Sequence, residues 1–198
     1  MKGRRNFRRL PATRPYRRLF VIATEGDKTE PQYFALFSSR TTTVTVNCLR
    51  SRGNSAPPEV LKRMKKYIED KGLKRTDEAW LVVDKDQWQD DQLIQLQNWS
   101  TTQINYGLAV SNPQFELWLL MHFEDATGAA TSRECSERLI RHLPNYDKGH
   151  LDTGKLKPGI AAAIDRAKQK DQSPCTDWPR SPGTTVYRLV EKLMNSQG

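Results

Sequence analysis

Long apolar runs are missing from these 198 residues. The two most apolar stretches, Leu19 to Ala23 and Leu117 to Met121, fall far short of the roughly 20 residues needed to cross a bilayer. A membrane-spanning helix is therefore excluded, and a soluble protein is expected. No apolar segment with a small-residue cleavage site follows the charged N-terminus, so the expected location is the cytoplasm. Cysteine is sparse. Cys48, Cys135 and Cys175 stand far apart, with no CxxC pair and no neighbouring histidine pair, which argues against both a disulfide framework and structural zinc. Acids are absent from the first 18 residues, and beyond that segment no repeat or low-complexity tract appears.

What is present suits one ordinary domain, with 36% hydrophobic and 28% charged residues; the expected division is a basic arm over 1–18 and a single domain over 19–198. The net charge of +9 comes almost wholly from the arm. Of 32 bases, Lys2, Arg4, Arg5, Arg8, Arg9, Arg14, Arg17 and Arg18 lie there, leaving 24 against 23 acids. Guanidinium groups grip phosphate bidentately, and Phe7 and Tyr16 offer rings for stacking, so Arg4, Arg5, Arg8, Arg9, Arg17 and Arg18 are candidate nucleic-acid contacts. The alternative is a solvated tail that aids solubility.

Hydrophobic patterning predicts alternating strands and helices. Leu19 to Ala23 reads as a strand buried on both faces. Thr29 is expected to cap a helix with Glu30 and Pro31 in its first turn and Phe34 and Phe37 facing inward. A half-buried strand follows over Thr41 to Leu49, then a helix over Glu59 to Lys71, a strand over Ala79 to Val83, a helix over Asp91 to Trp99 and a strand over Gly107 to Val110. Ser111-Asn112-Pro113 is expected to open a further helix through a polar cap and early proline. From Thr131 onward the pattern is of helices alone, over Ser132 to Leu143, Pro158 to Lys170 and Thr184 to Met194, forming a helical annex over 131–198. The order implies an α/β fold with a mainly parallel sheet.

Acids cluster where strands end, the edge at which open parallel sheets bind ligands. In extended geometry Asp84 and Asp86 project to the same side and Lys85 to the other. Two such carboxylates, joined by Glu25 if the strands are neighbours, can share Mg²⁺ or Mn²⁺, activate a water and neutralise charge on a phosphodiester. Acids at strand ends are also common turn residues, and DxD alone does not decide between the two.

The motifs taken together carry more. Glu25-Gly26-Asp27-Lys28-Thr29-Glu30-Pro31-Gln32-Tyr33-Phe34, Val82-Val83-Asp84-Lys85-Asp86 and Ser111-Asn112-Pro113-Gln114-Phe115-Glu116-Leu117-Trp118-Leu119-Leu120-Met121-His122-Phe123 resemble successive signatures of the RloB family. Tyr146-Asp147-Lys148-Gly149 and Thr184-Thr185-Val186-Tyr187-Arg188-Leu189-Val190 resemble its C-terminal blocks. The resemblance covers nearly the whole chain after the arm. It implies a Toprim-like fold, with Glu25, Asp84 and Asp86 as metal-site acids in a Mg²⁺-dependent nuclease. It also implies a setting in prokaryotic antiviral defence, an ATPase partner, and RNA (tRNA included) or DNA as substrate.

Several further residues have two readings each. Glu30 meets the helix dipole or joins the metal site. Glu116, at the head of an apolar helix, is a catalytic candidate or a structural hydrogen-bond acceptor. His122 does not share a helix face with Glu116 and is expected to be a satisfied core histidine. Lys28 and Lys148 are phosphate candidates from loops, surface solvation being their other role. Trp88, beside the acidic loop, offers a stacking face. Gly149 to Lys155 superficially matches a P-loop but lacks the Ser/Thr and the preceding strand, so nucleotide binding is not expected there. The competing functional readings are a non-catalytic nucleic-acid-binding module and an effector subunit that docks to an ATPase.

Overall fold

A computed structural model describes residues 17–39, 41–51, 56–86, 88–171 and 173–197. Arg4, Arg5, Arg8 and Arg9 of the arm, with Phe7 and Tyr16, lie outside the described residues. The strands are β1 (Arg18–Thr24), β2 (Val44–Leu49), β3 (Glu78–Asp84), β4 (Tyr106–Asn112) and β5 (Gly183–Thr184). The helices are α1 (Thr29–Phe34), α2 (Pro57–Lys71), α3 (Asp90–Ser100), α4 (Phe115–Leu120), α5 (Ser132–His142), α6 (Thr153–Leu156), α7 (Ile160–Lys170) and α8 (Val186–Asn195). Short 3₁₀ turns follow α1 and α6. No described helix is long and apolar enough to cross a membrane.

The sheet order is β2-β1-β3-β4-β5, with the first four strands parallel and β5 antiparallel to β4. This is an α/β fold. Successive side chains of a strand point to opposite faces, and both faces here are covered. Phe20, Ile22, Trp80, Val82 and Ala109 face a layer containing α1, α4, α5, α7 and α8, whereas Val21, Ala23, Leu81, Val83, Leu108 and Val110 face α2 and α3. Double coverage is why the strands read as continuous apolar runs.

The chain leaves β1 through α1 on one face to reach β2, then returns through α2 on the other face to reach β3. A reversal of direction across the sheet requires this change of face if each crossover keeps the usual hand. The gap between β1 and β3 is thus the topological switch point, where ligands of open α/β sheets bind.

Three local expectations are corrected. Thr29 does not cap α1. It is the first helical residue, and its hydroxyl donates to the Lys148 carbonyl at 3.4 Å. Ser111 and Asn112 do not open a helix but end β4, because β5 supplies a partner strand: Ser111 Oγ and Thr184 Oγ1 lie 2.9 Å apart, and Asn112 Nδ2 donates to the Pro179 carbonyl at 2.9 Å. Helix α4 starts only at Phe115. The annex is therefore not helices alone; Gly183–Thr184 extends the sheet, and α8 begins two residues later. Its helices share an apolar core with the sheet, through Cys135, Leu139, Ile164, Val186, Leu189 and Val190.

Candidate active site

Glu25 follows β1 and remains in register with β3, its N–H donating to the Val82 carbonyl at 2.9 Å. The Thr24 hydroxyl donates to the Gly26 carbonyl at 2.7 Å, turning the chain out of the sheet. The Glu25 carboxylate then spans the switch point. One oxygen accepts the Asp84 N–H at 3.0 Å and the other accepts the Trp88 indole N–H at 3.0 Å. Trp88, considered as a stacking surface, is thus also a clamp on Glu25.

Glu30 reaches back from α1, its Oε1 accepting the Gly26 N–H at 2.9 Å. A Cβ on Gly26 would stand 2.2 and 2.6 Å from the two Glu30 oxygens, so this approach needs glycine. Glu116 enters from the first turn of α4, is 5% exposed, and accepts the Tyr146 hydroxyl at 2.8 Å. Glu25, Glu30, Asp84 and Glu116 line one cavity of about 350 Å³ together with Lys28 and Lys148.

Burial and neighbouring acids raise the proton affinity of three of these carboxylates, Glu25, Glu30 and Asp84. Burial pushes Glu30 up to about 7, with Glu116 and Glu25 adding to the effect and the hydrogen bond from Gly26 opposing it. Asp84 is held well above the usual carboxylate range by burial, then by Glu30, Glu25 and Glu116, while Lys148 pulls the other way. Burial also raises Glu25, against the bonds from Asp84 and Trp88.

The fourth wall comes from the annex. Thr29 and Gln32 both donate to the Lys148 carbonyl, at 3.4 and 3.5 Å, and the Leu151 N–H donates to Gln32 Oε1 at 3.1 Å. These bonds fasten the 146–151 loop to α1. They bring Tyr146 and Lys148 to the acids by a contact between Thr29 and Lys148 that spans 119 residues of sequence. Tyr146 was legible only as part of a family-like block; spacing gave no sign of its bond to Glu116.

Asp86 is placed differently from the expectation of an extended chain. The strand ends at Asp84, the Lys85 and Asp86 N–H groups donate to the Ser111 and Pro113 carbonyls, and Asp86 turns outward at a φ of 20°. It is exposed and does not line the recess, but is close enough to raise Glu25. Lys85 does point away, donating to the Trp88 carbonyl and pairing with Asp90, each at 2.8 Å.

His122 is the satisfied core histidine expected. It contacts the Tyr33 hydroxyl at 3.1 Å and the Trp118 carbonyl at 3.0 Å, and burial lowers its pKa to about 4. Arg18 stands away from the recess. It lies at the opposite sheet edge, where its guanidinium meets the buried Glu78, the Thr76 carbonyl and Ser196 Oγ. Those bonds take three of the five guanidinium N–H donors. Arg17 is exposed at the same end of β1, and Lys28 is exposed at the cavity mouth.

Among the described residues, no three His, Cys, Asp or Glu side chains are gathered into a ready metal-binding group. The cavity nevertheless offers an all-oxygen, anionic donor set of the kind a hard divalent cation takes. The bonds from Asp84, Trp88, Gly26 and Tyr146 use one lone pair each, and every carboxylate oxygen has two. The chemistry of the residues thus fits such an ion.

No curated protein and no solved structure matches the chain. A family model, that of the RloB-like proteins, matches residues 20–193, from β1 through most of α8 and including every residue of the cavity. On that coverage the chain belongs to the RloB-like protein family.

Proposed function

We propose that this chain is a divalent-metal-dependent, Toprim-like nuclease. The observation that carries the reading is the recess at the switch point, where Glu25, Glu30, Asp84 and Glu116 converge and the proton affinities of Glu25, Glu30 and Asp84 are raised. Such crowding of like charge is costly in a protein unless a cation or protons relieve it. Glu25 and Asp84 would hold the ion, with Glu116 facing the same cavity and Asp86, exposed and near Glu25, as a further oxygen donor. Bound there, Mg²⁺ or Mn²⁺ supplies charge neutralisation at a phosphodiester and lowers the pKa of a coordinated water.

The chain's own groups supply positioning. Trp88 and the Asp84 N–H fix both oxygens of Glu25, and Tyr146 fixes one oxygen of Glu116. Lys148 and Lys28 offer cationic contacts to the phosphate at the cavity wall. Glu30, raised to about 7, can hold or release a proton at its carboxylate near neutral pH. In this reading the arm arginines Arg4, Arg5, Arg8 and Arg9 grip flanking phosphates, the substrate is RNA, tRNA included, or DNA, and the setting is antiviral defence in the cytoplasm beside an ATPase partner.

The test is cleavage of RNA and DNA by the purified full chain with Mg²⁺ or Mn²⁺, and with chelator, followed by sequencing of the ends. Glu25→Gln and Asp84→Asn are expected to lower the rate by about 100-fold or more while circular dichroism shows a retained fold. Cleavage at the wild-type rate by both variants refutes the reading. Salt-sensitive binding without cleavage under any of these conditions would instead make the chain a binding module.

A further inference from the structure

A surface of opposite charge is continuous with the carboxylate recess. Ser51, just after β2, lines both the recess and a shallow groove of about 600 Å³ between the end of β2 and α2. The groove is walled by Arg50, Arg63, Lys66, Tyr67 and Asp70, three cations against one acid. Arg50 and Lys66 are exposed, and neither is ion-paired with a described residue. Arg63 is anchored, its Nη2 donating to the Thr24 carbonyl at 2.6 Å, so the groove's inner end is fastened to the strand that leads into Glu25. Tyr67 is half-buried against the apolar layer beneath α2, which stiffens its ring beside the exposed cations.

The recess by itself repels what the proposed reaction needs to admit. Phosphates neighbouring the reacting one meet an anionic wall unless cations hold them first, and a cationic track beside an anionic hole supplies that. Lysine and arginine with an interleaved aromatic ring is the combination that suits an unpaired strand, since the cations follow the backbone and the ring stacks on a base.

We propose that this groove is the track for an unpaired polynucleotide strand, whose phosphates lie across Arg50 and Lys66 with a base against Tyr67, and which enters the recess over Ser51. The link to cleavage rests on the nuclease reading; the binding does not.

Binding is therefore measured apart from cleavage, with labelled single-stranded RNA and DNA, the full chain and a chelator. Arg50→Glu/Lys66→Glu is compared with Arg141→Glu/Lys157→Glu, an equal charge change at exposed positions elsewhere. The groove variant is expected to weaken binding at least about 10-fold and to flatten the slope of log affinity against log salt by about 1.4, two contacts at about 0.7 each. The distal variant should change affinity less than about 2-fold. Tyr67→Leu should weaken binding by about 5-fold or more while keeping the slope. Equal weakening by the two charge variants overturns the track, as does unchanged binding by the groove variant or no binding by the wild type. Tighter binding of duplex than of single strand overturns the unpaired-strand assignment. Groove-dependent binding without cleavage in metal supports the track and removes the nuclease reading, whereas cleavage with groove-independent binding removes the track alone.

Discussion

Replacing Glu30 with glutamine should make the metal-free protein more stable, and the gain should grow with pH. Glu30 is 6% exposed and its proton affinity is raised from 4.5 to about 7. A carboxyl whose folded pKa is raised binds its proton more tightly in the native state. The stability it gains from that proton is complete below 4.5, is lost as pH rises from 4.5 through about 7, and is absent above. Over that window the loss is about 3 kcal/mol, at about 1.4 kcal/mol per pKa unit. Glutamine has no such proton to lose, retains an acceptor for the Gly26 N–H, and places an amide among the remaining acids. Glu30→Gln should therefore exceed wild type by about 3 kcal/mol at pH 8 but by only about 1 kcal/mol at pH 5. For a chain of this length that is about 6–12 °C in melting temperature at pH 8 and about 2–4 °C at pH 5. The assay is thermal unfolding with chelator at both pH values. Equal melting temperatures at pH 8, or the same difference at both pH values, would refute the account of Glu30 as a buried acid in a crowd of like charges.

Gly26→Ala should destabilise the fold by about 1–3 kcal/mol, because the added methyl occupies the space of the Glu30 carboxylate; in a Glu30→Ala background the loss should shrink, and a double-mutant cycle in urea measures that coupling. His122, buried and held near 4, should show no titration of its ring protons by NMR between pH 5.5 and 8. A shift in that range would mean its contacts with Tyr33 and Trp118 are not kept in solution.

Sequence periodicity reached most of the fold because the strands that matter are buried on both faces. Phe20, Val21, Ile22 and Ala23, and likewise Leu81, Val82 and Val83, cannot be anything but apolar between two helical layers. The same logic failed for Gly183–Thr184, where two residues are too few to carry a period and only pairing with β4 makes them a strand. It failed at Ser111-Asn112 for the same reason, since a polar pair before proline reads locally as a cap. Asp86 shows the limit of strand alternation: the rule holds only while the chain stays in the sheet, and here it turns out one residue after Asp84.

The sequence alone determined the α/β class, the order of its elements as far as α4, the basic arm and the placing of Glu25 and Asp84 at strand ends, because each of these is a local property of charge or periodicity. Which acids share a recess was decided by tertiary structure. The reversal of chain direction between β1 and β3 sets Glu25 against Asp84, the absence of a side chain at Gly26 lets Glu30 close on them, and the annex loop carries Tyr146 to Glu116. Those meetings join residues up to 59 positions apart, and the loop that carries Tyr146 is fastened to α1 across 119; packing and hydrogen bonds make them, not spacing along the chain.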